Sequence, residues 1–104
     1  MIITTVEKIE GKNITRTIGL VKGSTIRARH VGRDIMAGLR GLVGGEITDY
    51  TKMMAESREQ ALQRMVDDAE SQGANAIVGL RFATSMVMTS ASEILAYGTG
   101  VVVD

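Results

Sequence analysis

From residue 50 to residue 72 the chain reads YTKMMAESREQALQRMVDDAESQ, with apolar side chains at Tyr50, Met54, Ala61, Leu62, Met65, Val66 and Ala69. These steps, mostly of three, four and seven, put them on one face of a helix. Lys52, Glu56, Glu59, Gln63, Asp67 and Glu70 fall mostly on the other. Such a helix spans about 35 Å at about 1.5 Å per residue. Asp49 is placed to cap its N-terminus, and Gly73 to end it with a positive φ. A helix with one long apolar stripe needs a second layer to cover that stripe.

The rest of the chain supplies a sheet. The stretch NITRTIGLVKGSTIRA is rich in β-branched residues and predicts a strand over 14–21. Residues 22–24, Lys-Gly-Ser, read as a turn or bulge, and 25–29 as an extension of the strand. After QGAN, the runs AIVGLRFATSMVM and SEILAYGTGVVV flank a small polar turn near 89–92 and predict an antiparallel hairpin. With 104 residues and no linker or repeat, the chain is a single domain over 1–104. The expected fold is α+β and two-layered: a β-α-β-β subunit in which an antiparallel sheet carries one long amphipathic helix.

That sheet is apolar on both faces, through Ile77, Val78, Met86, Val87, Met88, Val101, Val102 and Val103. One helix covers one face, so the other implies a homo-oligomer. The alternative is that loops and the N-terminal segment cover it.

Residues 36–50, MAGLRGLVGGEITDY, hold Gly38, Gly41, Gly44 and Gly45. Preceding residues 31–43 have helical spacing at Ile35, Leu39 and Leu42, which predicts a short helix stopped by the glycine pair. A phosphate-binding loop would need Lys then Ser or Thr after its last glycine. Here Gly45 is followed by Glu46 and Ile47, so the segment reads as a turn and packing seam.

Formal net charge is zero, yet residues 12–40 hold seven basic residues against Asp34 alone. Complementary patches meeting between subunits, or solvated faces, explain this better than nucleic acid. Only 3% of the chain is aromatic, which leaves single strands without stacking platforms. No stretch approaches the ~20 apolar residues of a spanning helix, and Glu7, Lys8 and Glu10 interrupt any signal-like run. Cysteine is absent, which suits a reducing compartment, and a cytoplasmic location is expected.

Chemistry has few residues to draw on. His30 is the single histidine, and the seven methionines fit core positions, so a metal ion is a weakly supported cofactor unless symmetry gathers ligands from several subunits. Charged groups on or beside buried surface, namely Glu46, Arg58, Arg81 and Glu93, demand partners, and Glu46 with Arg58 suggests an ion pair tying the turn to the helix.

The ordered set GGEITDYTKMMAESREQALQRMVDDAESQGANAIVGLRF, followed by EILAYGTGVVV, resembles the core signature of the YbjQ-like family, which is uncharacterised and described as heavy-metal-binding. The matching positions are Gly44, Gly45, Glu46, Tyr50, Arg58, Ala61, Leu62, Arg64, Met65, Ala69 and Gly73 to Ala76, then Glu93 and Ala96 to Thr99. Gly100 departs from the alanine expected there. The resemblance implies a dodecin-like subunit assembled into a ring-shaped homopentamer, and carries over no catalytic residues. The expected role is a non-enzymatic, homo-oligomeric protein that binds a metal ion or small ligand where Glu46, Arg58, Glu93 or Tyr97 converge at a subunit seam. The alternative is an enzyme with Glu46 or Glu93 as general base and Arg58 holding an anionic substrate.

Overall fold

The computed structural model describes residues 1–28, 45–88 and 91–104. The helix expected over 31–43, His30, and Gly38, Gly41 and Gly44 lie outside them. The described elements are β1 (Ile2–Ile3), β2 (Ile14–Ala28), α1 (Gly45–Ser71), β3 (Ala76–Met88) and β4 (Ala91–Val103). They build an α+β fold with one four-stranded sheet in the order β1-β3-β4-β2. β4 pairs antiparallel with both β2 and β3.

The expectation of a purely antiparallel, three-stranded sheet is corrected at the N-terminus. β1 runs parallel to β3, with Ile2 opposite Ala76 and Ile3 opposite Ile77. The chain stays on that edge beyond the strand. Thr4 N–H donates to Ile77 O at 2.9 Å, Leu80 N–H to Thr4 O at 3.1 Å, and Gly79 N–H to Val6 O at 2.9 Å. The sequence reads as a short extended piece around residues 2–5, but two residues are too short to show a period of two, so only the pairing shows that it joins the sheet.

The helix begins earlier than its apolar spacing indicates. Gly45 opens it, so Asp49 lies inside the helix rather than at its cap, and Glu46 lies in its first turn rather than in a preceding turn. Its C-terminus follows expectation. Gly73 has φ +90°, its N–H donates to Glu70 O at 3.1 Å, and Ala74 N–H donates to Ala69 O at 3.0 Å. These two bonds satisfy the last carbonyls in the Schellman pattern, with Ala69 and Ala74 packed in the same core cluster.

Ser57, Ala61, Met65 and Ala69 form an i+4 row with no exposed surface, flanked by Met54, Leu62 and Val66. The sheet meets them with Val21, Ile77, Ile94 and Ala96. Small side chains at every turn but one let the helix axis come close. The closest approach is at Gly23, where a Cβ would fall 2.6 Å from Arg64 C and closer still to Met65 N and Ala61 O. Lys22-Gly23-Ser24 is therefore no turn: all three pair in unbroken register with Tyr97, Ala96 and Leu95. The helix also hooks the outer edge of β2. Lys22 N–H donates to Asp68 Oδ2 at 3.0 Å, and Arg64 Nη1 donates to Ser24 O at 2.6 Å.

Two bulges overturn the alternation read from sequence. Register shifts between Thr17 and Gly19 and between Val78 and Arg81, where Gly19 has φ +127° and Gly79 φ +64°. Each inserts one residue and switches which parity faces the helix. Ile18 consequently packs toward the helix while Leu20, two residues on, is 63% exposed. Likewise Leu80 joins the helix-side core, whereas Val78 joins Ala76, Val101 and Val103 on the opposite face, covered by Ile9. Among the described residues, the N-terminal segment thus covers one end of that face and leaves the rest open.

Asn75 closes the far end of β4. Its Nδ2 donates to Val103 O at 2.9 Å, and its Oδ1 accepts from Val103 N–H at 2.8 Å. Asn75→Ala is expected to lower stability by about 1–2 kcal/mol in urea melts, because both backbone groups lose their partner. Asn75→Asp, which keeps the acceptor, should lose less.

Candidate ligand site on the open face of the sheet

Strand register arranges the face away from α1, helix-free among the described residues, in cross-strand rows. Lys22, Tyr97 and Arg81 form one row, and Ile26, Glu93 and Ser85 another. Side chains directly opposite each other stand about 4.5–5.5 Å apart at Cβ. Tyr97 therefore lies between two cations, and Glu93 beside an exposed isoleucine. Along β4 the two predicted residues are four positions apart, about 13 Å at about 3.3 Å per residue.

Arg58 is exposed on α1, in the layer on the other side of the sheet. Positions 46 and 58 lie on one continuous helix, twelve residues and about 18 Å of rise apart. The side chain of Glu46, and with it the expected ion pair with Arg58, lies outside the described residues. Within one chain, Glu93 and Tyr97 share a face, and Arg58 occupies the opposite layer.

What the open face does hold is a cleft of about 500 Å³, lined by Glu7 from the N-terminal segment, Thr17 from β2, Val78 and Arg81 from β3, and Thr99 and Val101 from β4. Arg81 is anchored in it. Its Nη1 donates to Thr5 O at 2.9 Å and to Leu80 O at 2.8 Å. A guanidinium pinned by two carbonyls is pre-organised, with its planar fork set for an anion. Arg81 stands out in the sequence as a cation inside an apolar strand. Its position in a cleft does not, because Glu7, Thr17 and Thr99 come from three separate segments and a bulge turns Arg81 toward them.

A family model described as "putative heavy-metal-binding", of the YbjQ type, matches residues 1–104. The chain belongs to the YbjQ-like family. Similar YbjQ-like relatives carry the name UPF0145 protein. One from Methanosarcina acetivorans is 61% identical over 101 residues, covering 97% of this chain and 95% of its own. Another, from Dehalococcoides mccartyi strain BAV1, is 57% identical over the full length of both. A crystal structure of a protein of unknown function, assigned to the DUF74 family and from Pediococcus pentosaceus, superposes with a TM-score of 0.67. It is 21% identical and covers 100% of this chain and 98% of that one, which supports the fold.

The family description raises the question of a metal. Among the described residues, no three His, Cys, Asp or Glu side chains stand close enough to hold an ion, and the sequence has no thiolate to offer a soft metal. The described residues of this one YbjQ-like chain do not fit a heavy-metal centre. No described helix is long and apolar enough to cross a membrane.

Proposed function

We propose that this YbjQ-like protein is a non-enzymatic, cytoplasmic homo-oligomer that binds a small polar ligand, its dodecin-like subunits arranged in a ring. The number five follows the resemblance to the family. The observation that carries the reading is the apolar surface left outside one subunit's two layers. Leu20 and Ile26 are 63% and 61% exposed on the helix-free face, and Phe82 and Met86 are 45% and 70% exposed on β3. Large apolar side chains open on two sides of one sheet favour burial against further copies. An enzyme using Arg58 with Glu93 would need those groups from different subunits, since the sheet separates them within one.

Native mass spectrometry of untagged protein, purified without chelator, tests this directly. The expected spectrum is a closed multiple of the 11.1 kDa chain that retains an organic adduct in fixed proportion to subunits. A monomer overturns the reading of assembly. A stoichiometric metal mass on the assembly would instead mean that ligands from several subunits combine.

A further inference from the structure

We propose that the cleft on the helix-free face binds an α-amino acid with an aliphatic side chain, its carboxylate on Arg81 and its ammonium on Glu7. The inference rests on the reading of this protein as a small-ligand binder, and it names the ligand class and the residues that select it.

Arg81 supplies the first half of the argument. Both of its hydrogen bonds leave from Nη1, to Thr5 O and Leu80 O. The Nε–H and Nη2–H edge, whose two parallel donors match the two oxygens of a carboxylate, makes no hydrogen bond to the described residues. Such a fork–fork contact is stronger than a neutral hydrogen bond and fixes the orientation of the bound group. Because the two carbonyls already hold the side chain, little rotamer freedom is lost on binding.

Glu7 supplies the second half. It lines the same cleft, while the hydrogen bonds of Arg81 among the described residues go to Thr5 O and Leu80 O rather than to Glu7. One acidic and one basic group that share a cleft without neutralising each other match a ligand carrying both charges. Ile14, 40% exposed, lines the same cleft and offers apolar surface, Val78 and Val101 being buried, and Thr17 and Thr99 bring hydroxyls to the lining. A cleft of about 500 Å³ suits a small metabolite of this shape. A plain anion would leave Glu7 facing it unpaired, and an amine would leave Arg81 unmatched.

The test titrates ¹⁵N-labelled full-length protein with L-leucine, following amide shifts, and repeats it with 4-methylpentanoate and with isoamylamine. Leucine is expected to saturate shifts at Glu7, Val78 to Arg81 and Thr99 below about 1 mM, and each analogue to bind about tenfold more weakly or worse. Arg81→Lys keeps the charge but loses the fork and should raise the dissociation constant about tenfold. Glu7→Gln, on the exposed N-terminal segment, should bring leucine to the level of 4-methylpentanoate, and it decides the matter should the Arg81 variant fail to fold. Absence of saturable shifts up to about 10 mM, equal affinity for 4-methylpentanoate, or leucine binding untouched by Glu7→Gln overturns the proposal. Failure here alongside an assembly that retains another adduct in native mass spectrometry would overturn the cleft and leave the wider reading standing. A bare monomer would overturn that wider reading.

Discussion

Gly23→Ala is expected to destabilise the protein by at least about 3 kcal/mol, seen as a lower urea midpoint and a loss of helical circular dichroism on mild heating. Overpacking usually costs about 1–3 kcal/mol because flexible side chains give way. Here the obstacles are main-chain atoms: Met65 N, Ala61 O and Arg64 C all lie inside normal contact distance of the added methyl group. Backbone in the middle of a 27-residue helix cannot rotate aside. The helix would have to lift off β2, loosening Ala61 and Met65 from Val21 and drawing Arg64 and Asp68 away from the strand edge they cap. A domain this small commonly has only about 5–15 kcal/mol in total, so such a loss is a large share of it. Lys22→Ala, one residue away on the exposed side, should change the midpoint little. A Gly23→Ala protein as stable as the parent would mean that the helix does not cross β2 at this point.

The second large effect concerns assembly. Changing Leu20 and Ile26 together to lysine should convert the proposed homo-oligomer to folded monomer, measured by native mass spectrometry and light scattering at one protein concentration. Both side chains are mostly exposed in the subunit, so the fold has little to lose. Burying an aliphatic side chain of this size is worth about 1.5–3 kcal/mol, which is about tenfold to hundredfold in association constant for each. A lysine on an edge strand also opposes edge-to-edge pairing, and β2 is one of the two edge strands of the described sheet. An unchanged mass distribution would show that the helix-free face of β2 is not a subunit interface. Attention would then shift to Phe82 and Met86 on β3.

Much of the candidate site was hidden for a reason these residues make plain. Glu93 stands out in sequence as a charged group beside buried surface and Tyr97 as a position matching the family, and the two share a face. Arg58 and position 46 drew notice in the same way, but the helix that carries them lies on the other side of the sheet. Polarity within an apolar run signals that a group needs a partner; it says nothing about which layer supplies one. Arg81 carried the same signal as Glu93. Its cleft depends on the N-terminal segment running beside β3, a pairing between residues more than seventy positions apart.

The helix was written in the local sequence. A stripe at Ala61, Leu62, Met65, Val66 and Ala69, a polar back, and Gly73 at the end dictate an amphipathic helix and its stop, because its period and cap arise within a few neighbouring residues. Strand content in 14–28, 76–88 and 91–103 was legible for a similar reason, through β-branched residues at short range. Faces were not. A period of two tolerates no insertion, and the single extra residues at the Gly19 and Gly79 bulges reverse which side chains meet the helix. The place of Gly23 was equally a tertiary matter. From sequence it is a turn glycine between two polar residues, and only the passage of a helix backbone overhead shows that its missing side chain is the space the fold requires.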